Sequence, residues 1–234
     1  MVDLSGPIRA LQRTADTVLP RHCQACEAPA GQLGLCAACI CALPWNDCAC
    51  TGCAQPLAQP GVCPDCARRA PPYDHAWAAF RLEAPIQHSI HALKYHADFT
   101  QAQLLGTLMA QQRQHLAPLP QVLLPVPLHP GRLRRRGYNQ ALELARAISK
   151  LLQLPVLSDA ATRQRATEDQ IGQTAAARRR NMRGAFTLRR PLTGLHVALI
   201  DDVMTTGATL AELARSCRRA GAAQIEVWAA ARTP

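Results

Sequence analysis

The sequence predicts an α/β domain with a mainly parallel sheet, behind a small cysteine-built module that has almost no core of its own. Three observations carry this. From residue 73 onward strand-like and helix-like stretches alternate, the order in which a chain lays helices against a parallel sheet. Val197-Ala198-Leu199-Ile200 is an unbroken apolar run, as in a strand buried on both faces. Eight of the eleven cysteines form four Cys-x-x-Cys pairs: Cys23/Cys26, Cys36/Cys39, Cys50/Cys53 and Cys63/Cys66.

The chain opens with Leu4, Ile8, Leu11, Ala15 and Val18 at helical spacing, which predicts an amphipathic helix over 4–18 within a first segment, 1–20. The cysteine module follows over 21–70. Its first two pairs recur as the second two at an offset of 27, an offset shared by Pro29 and Pro56, Gln32 and Gln59, and Gly34 and Gly61. Two thiolates separated by two residues grip a tetrahedral metal from a tight turn, and two such turns complete a sulfur-four site. The repeat therefore predicts two structural zinc ions, each closing a small ribbon. Sequential pairing follows from the repeat, while crossed pairing, first with third and second with fourth, also gives two equal loops. Disulfides suit the chain less, because nothing in it signals an oxidising compartment. Cys41, Cys48 and Cys217 fall outside the repeat and read as ordinary small residues.

Pro71-Pro72 marks a linker, and the main domain is expected over 73–234. A strand is expected at 75–82, helices at 85–95 and 99–115, and a short apolar strand at 121–126. The loop Pro127-Leu128-His129-Pro130-Gly131 comes next, then a helix over 137–153 with Ala141, Leu144, Ala145, Ile148 and Leu152 on one face. Residues 155–190 are polar and arginine-rich, with a helix expected near 174–182. A strand at 195–200, a helix at 208–220 and a strand at 225–231 complete the alternation.

Composition narrows the classes of function. With 234 residues, 48% of them hydrophobic, the chain buries a sizeable core, which excludes wholesale disorder and fibrous repeats. Only nine residues are aromatic, so that core is aliphatic, and extensive base stacking is not expected. The N-terminus lacks an apolar signal segment and no run of eighteen apolar residues occurs, so the expected location is cytoplasmic, without a membrane span. The net charge of +10 is concentrated in residues 130–190, where fourteen basic residues face four acidic ones. All but two of the 26 basic residues are arginine. Arginine forks pair with phosphate oxygens, so a phosphate-bearing ligand or nucleic acid is the functional reading and a solvated basic face the plain one.

The sharpest motif runs over 197–209: four apolar residues, Asp201-Asp202, Val203-Met204, then Thr205-Thr206-Gly207-Ala208-Thr209. Backbone N–H groups in such a turn, at the start of a helix, cradle a phosphate dianion. Carboxylates beside that cradle suit sugar hydroxyls or Mg²⁺ better than they suit phosphate. The motif resembles the thirteen-residue signature of type I phosphoribosyltransferases, which bind phosphoribosyl pyrophosphate. The four cysteine pairs, then Leu93-Lys94-Tyr95, Val126-Pro127-Leu128-His129, Arg136-Gly137-Tyr138-Asn139-Gln140 and Asn181-Met182-Arg183-Gly184-Ala185-Phe186, look like the ComF family of competence-associated proteins. The similarity extends from about residue 19 to the end of the chain.

This resemblance implies a double zinc ribbon joined to a type I phosphoribosyltransferase-like fold, its parallel sheet flanked by helices. It implies that Asp201 and Asp202 contact the ribose hydroxyls, with Mg²⁺ accompanying the ligand, and that Thr205, Thr206, Gly207, Ala208 and Thr209 bind the 5-phosphate. Val126, Pro127, Leu128 and His129 stand where this fold holds pyrophosphate. Arg134, Arg135, Arg136 and Arg178 are candidates for pyrophosphate or nucleic-acid phosphates. Tyr95 reads equally as core or as ligand contact. Single-stranded DNA and competence helicase-type proteins are the implied macromolecular partners. Two classes of function fit: a glycosyltransferase acting on phosphoribosyl pyrophosphate in DNA uptake or processing, and a non-catalytic module that docks nucleic acid or protein through its ribbons and arginine-rich face.

Overall fold

The computed structural model describes residues 22–31, 33–115, 118–164 and 182–234. The helix expected over 4–18, the helix expected near 174–182, and Arg178 with it, lie outside the described residues. The chain forms two compact units that divide between Leu43 and Pro44.

The first unit holds one ribbon. A turn at Cys23 is closed by Cys23 N–H donating to Ala28 O (2.7 Å) and Glu27 N–H donating to Cys23 O (2.8 Å). The short helix α1 (Ala37–Cys41) follows, and the Cys36 side chain caps it by accepting from Cys39 N–H. The second unit opens with the same construction 27 residues on. Cys50 N–H donates to Gln55 O (2.8 Å), Ala54 N–H donates to Cys50 O (2.7 Å), and helix α2 spans Pro64–Arg68. Glu27 and Ala54 both take the left-handed conformation, at φ 62° and 55°. The sequence repeat is therefore a backbone repeat, including its strained turn residue.

The rest of the second unit is the α/β domain. Strand β1 (His75–Arg81) leads to helices α3 (Ile86–Tyr95) and α4 (Phe99–Arg113), then strand β2 (Val122–Pro125) and helices α5 (Pro130–Arg136) and α6 (Gln140–Leu152). Strands β3 (Ala161–Arg163) and β4 (Phe186–Leu188) pair antiparallel. Strand β5 (His196–Met204), helix α7 (Ala208–Arg219) and strand β6 (Gln224–Arg232) end the domain. The main sheet runs β1-β6-β5-β2 with every pair parallel.

On one face of the sheet Val197, Leu199, Val227 and Ala229 share a core with Leu210, Leu213 and Cys217 of α7. Strand alternation sends Ala198, Ile200 and Trp228 to the other face, where α4 and α6 pack together closely. A Cβ on Gly106 of α4 would stand 2.5 Å from that of Ala147 on α6, so the approach of these helices needs glycine there. At the N-terminal side of the strands, buried Glu226 accepts from Arg113 Nη2 (2.7 Å) and Trp228 Nε1 (2.7 Å) and lies 3.0 Å from His196 Nε2. Burying these charges requires such pairing. No helix among the described residues is long and apolar enough to cross a membrane.

Three expectations change. The helix expected over 137–153 starts three residues later, as α6: Gly137 at φ +84° ends the preceding helix α5, and Asn139 caps α6 by accepting from Ala141 N–H. Helix α5 takes in Pro130 and Gly131, the end of the expected loop 127–131, and Pro130 at its first position with the His129 cap favours a helix start there. Strand β5 runs on to Met204, so the acidic pair lies within its final turns of ladder rather than beyond it, Asp201 pairing with Ala229.

Candidate ligand site and metal centres

Each cysteine set converges. The Sγ atoms of Cys23, Cys26, Cys36 and Cys39 all lie within 4.8 Å of one another, and so do those of Cys50, Cys53, Cys63 and Cys66. The pairing is sequential. Cys26 Sγ is 3.6 Å from Cys36 Sγ, and Cys53 Sγ is 3.6 Å from Cys63 Sγ. A tetrahedral zinc with bonds of about 2.3 Å spaces its sulfurs by about 3.8 Å, so both clusters fit that ion. Backbone amides prepare the thiolates it needs. Cys23 is held down to about 6, chiefly by a backbone hydrogen bond from Cys36. Burial pushes the Cys50 thiol up, but the amides of Cys63, Gly52 and Cys53 bring it down to about 7. Cys39 is pushed up to about 12 by the neighbouring Cys26 and Cys23 thiols, as crowded thiolates without a cation require. Cys217 is fully buried in the core, and burial raises it to about 12, the inert residue expected.

A second constellation forms where β2 and β5 reach their C-terminal ends. Val126 N–H donates to Ile200 O (2.9 Å), which sets the loop 126–129 beside β5. Asn139 Nδ2 donates to Val126 O (3.0 Å) and fixes that loop from the other side. His129 turns its Nδ1 to Gly131 N–H (3.2 Å), so this side chain caps α5. On β5, Asp201 Oδ1 accepts from Asp202 N–H (2.9 Å), and Asp202 Oδ1 accepts from Val203 N–H (2.7 Å). Lys94, in the last turn of α3, places Nζ 3.1 Å from Asp202 Oδ2. Burial and the adjacent Asp202 charge push the Asp201 carboxyl well above the usual carboxylate range.

Residues 205–209 then turn into α7. Thr205 and Thr206 are exposed, and Thr206 Oγ1 accepts from Ala208 N–H (3.4 Å). Gly207 is the N-cap at φ +68°, and a Cβ there would stand 2.8 Å from Met204 Cε. Both conformation and space require glycine at this turn. The loop 126–129, the acidic pair and the threonine turn thus belong to one compact unit, the acids and the loop at neighbouring strand ends.

Lys94 is the residue whose contact with the acidic pair sequence reasoning missed. Its place in Leu93-Lys94-Tyr95 at a predicted helix end was the signal in the sequence. Tyr95 is on the surface (66% exposed), which removes it from the core. Arg136 Cζ lies 5.6 Å from the Tyr95 ring centre, and His91 packs on that ring at 4.7 Å. Exposed Phe99 meets Tyr138 edge-on at 4.9 Å, and the Tyr138 hydroxyl donates to Leu93 O. Arg134 and Arg135 are exposed on α5.

A ribbon built on two sulfur-four clusters, followed by a parallel α/β domain with paired acids before a threonine-glycine turn, defines a phosphoribosyltransferase-like protein with an N-terminal double zinc ribbon. The family model for the double zinc ribbon domain matches residues 14–67. The DNA utilization protein YhgH of Escherichia coli K12 is 34% identical over 223 residues, covering 92% of this chain and 98% of that one. Competence protein F of Haemophilus influenzae is 38% identical over 156 residues, covering 63% and 68%. The chain belongs to the ComF family. Among solved structures it is similar to a purine phosphoribosyltransferase from Pyrococcus horikoshii (TM-score 0.34, 17% identity, 55% of this chain and 80% of that one). It is also similar to the glutamine phosphoribosylpyrophosphate amidotransferase of B. subtilis (TM-score 0.36, 19% identity), of which it covers 26%.

Proposed function

We propose that the chain binds phosphoribosyl pyrophosphate, or a related ribose-phosphate, with Mg²⁺ at the C-terminal edge of the sheet. One observation carries the reading: Asp201 and Asp202 stand in the last four residues of β5, which runs to Met204 and leads into the glycine turn that opens helix α7. The helix N-terminus and the amides of residues 205–209 favour a phosphate dianion. The carboxylates, set back by two residues, accept from ribose hydroxyls. They also suit a divalent cation, because adjacent carboxylates that resist joint ionisation are relieved by a dication. Bound Mg²⁺ would neutralise pyrophosphate charge. Residues 126–129 take the pyrophosphate end, and Lys94 holds Asp202 in one orientation. Glycosyl transfer from such a ligand would rest on positioning and on charge stabilisation at the ribose carbon and the leaving group. The names of the relatives, a DNA utilization protein and a competence protein, support placing this activity in DNA uptake or processing.

A second reading, polynucleotide binding, is favoured by a specific surface. Of nine aromatic residues, Tyr95, Phe99 and Tyr138 gather at one corner, with Arg136 over Tyr95 and Arg134 and Arg135 nearby on α5. The two exposed rings, Tyr95 and Phe99, with these cations suit the bases and phosphates of a single strand.

Calorimetric titration with phosphoribosyl pyrophosphate tests the first reading. Binding is expected with Mg²⁺, and weaker or absent binding with a chelator present. A flat titration with Mg²⁺ overturns it. Fluorescence anisotropy with a labelled thymidine oligonucleotide tests the second, since Tyr95→Leu with Phe99→Leu should weaken binding about tenfold or more.

A further inference from the structure

Arg232, near the end of the last strand, is buried and its guanidinium spans two sites. Nε donates to the carbonyl of Cys53, a ligand of the second cysteine cluster, at 2.9 Å. Nη1 donates to Met204 O at 3.1 Å and to Thr233 O at 2.5 Å. Met204 is the residue from which the threonine turn departs. Its carbonyl also accepts from Thr233 N–H (3.1 Å) and Thr233 Oγ1 (3.2 Å), and its methyl group fills the space beside Gly207. A second link runs in parallel. The Tyr73 hydroxyl stands 3.6 Å from where a Gly207 Cβ would be, and Tyr73 shares one core with Ala54, the neighbour of Cys53.

We propose that Arg232 is a positioning residue that couples metal in the Cys50/Cys53/Cys63/Cys66 cluster to the conformation of residues 205–209. A ribbon this small is held by its metal. Zinc on the Cys53 sulfur fixes the Cys53 carbonyl, the carbonyl fixes one arm of the guanidinium fork, and the other arm holds Met204 at the base of the turn. Loss of metal frees the carbonyl and leaves a buried cation short of an acceptor, a costly state that relaxes by moving the arginine. The first cluster belongs to the other compact unit. The coupling is specific to the second cluster. It is also reciprocal: a ligand that orders the turn must retain that zinc more tightly. This ligand arm rests on the ribose-phosphate reading, whereas the metal arm does not.

Amide hydrogen exchange on the zinc-loaded full chain tests the metal arm without any ligand. Cys66→Ser should speed exchange at residues 205–209 by roughly tenfold, the scale set by one charge-assisted hydrogen bond, while β5 and β6 amides stay protected. Cys36→Ser, which empties the first cluster, should leave the turn unchanged. Arg232→Lys keeps both clusters and the charge but replaces the two separated nitrogens of the fork by one, so it should speed the same amides. Turn exchange that is unaltered in both Cys66→Ser and Arg232→Lys overturns the proposal, as does an equal response to Cys36→Ser. For the ligand arm, zinc release to a chelating dye is followed with and without ribose 5-phosphate. Slower release of one zinc of the two is expected in the wild type, and no slowing in Arg232→Lys. If ribose 5-phosphate fails to bind, the ribose-phosphate reading falls and the exchange result still decides the coupling.

Discussion

Lys94 Nζ, on helix α3, lies 3.1 Å from Asp202 Oδ2, while burial and then the Asp202 charge raise the adjacent Asp201 against the lowering effect of the Asp202 amide and of Lys94. Asp202 is compensated by a lysine delivered by helix α3. Asp201 carries the unrelieved part of the pair's repulsion, and that makes it the group whose ionisation a bound cation would favour most.

Asp201→Asn should stabilise the protein at neutral and alkaline pH. The folded carboxyl titrates above its unfolded value, which is near 4 as a rule. The contribution of the protonated form is therefore complete below that value and is lost as pH rises through the folded one. Urea unfolding should show a gain on the order of 1 kcal/mol at pH 8 that shrinks toward pH 4. The same substitution should abolish Mg²⁺-dependent binding of phosphoribosyl pyrophosphate. In the wild type that binding should strengthen with pH, because the cation displaces a proton.

Replacing Lys94 by Met removes the counter-charge of a nearly buried carboxylate. Stability at pH 7 should fall by roughly 1–3 kcal/mol, measured by urea unfolding. Lys94→Met with Asp202→Asn together should recover most of that loss. Recovery distinguishes an ion-pair effect from lost packing at the end of α3.

Gly207→Ala places a Cβ within 2.8 Å of Met204 Cε on a backbone at φ +68°. A cost of about 1–3 kcal/mol is expected from strain at such a position. Affinity for inorganic phosphate should fall, while both zinc ions stay in place. Thermal unfolding, phosphate titration and metal analysis together separate these effects.

Metal analysis of freshly purified protein should return about two zinc equivalents. Cys36→Ser should return one and leave phosphate binding intact, because the second cluster is built into the unit that carries the threonine turn. A value near zero, with eight titratable thiols and a folded protein, would rule out the structural zinc.

For single-stranded DNA, log affinity should fall with log salt by about 0.7 per phosphate contacted. Four to six engaged arginines give a slope of roughly −3 to −4. Replacing Arg134, Arg135 and Arg136 by Ala should reduce that slope by about two, whatever the base sequence. An unchanged slope would leave helix α5 as a solvated face.

Much of this molecule was written in local pattern. The offset of 27 specified two identical turns down to the hydrogen bond that closes each, because metal-ligand spacing is a property of the chain itself. The run 197–200 announced a strand buried on both faces, and the residues after it announced a glycine turn into a helix, since both are short-range consequences of hydrophobicity and backbone conformation. The break at Gly137 and the helix before it were also local. They were misread because the arginine-rich stretch lacks an apolar period. Other features have no local signature. Lys94 reaches Asp202 across more than a hundred residues of sequence, and Arg232 joins Cys53 to Met204 only after the last strand has paired between β1 and β5. Sequential rather than crossed pairing of the cysteines was equally open until the two turns took their places. Contacts of this kind are decided when the sheet closes, because their energy comes from burying a charge beside its partner, and a linear pattern of residue types does not show which partner will be there.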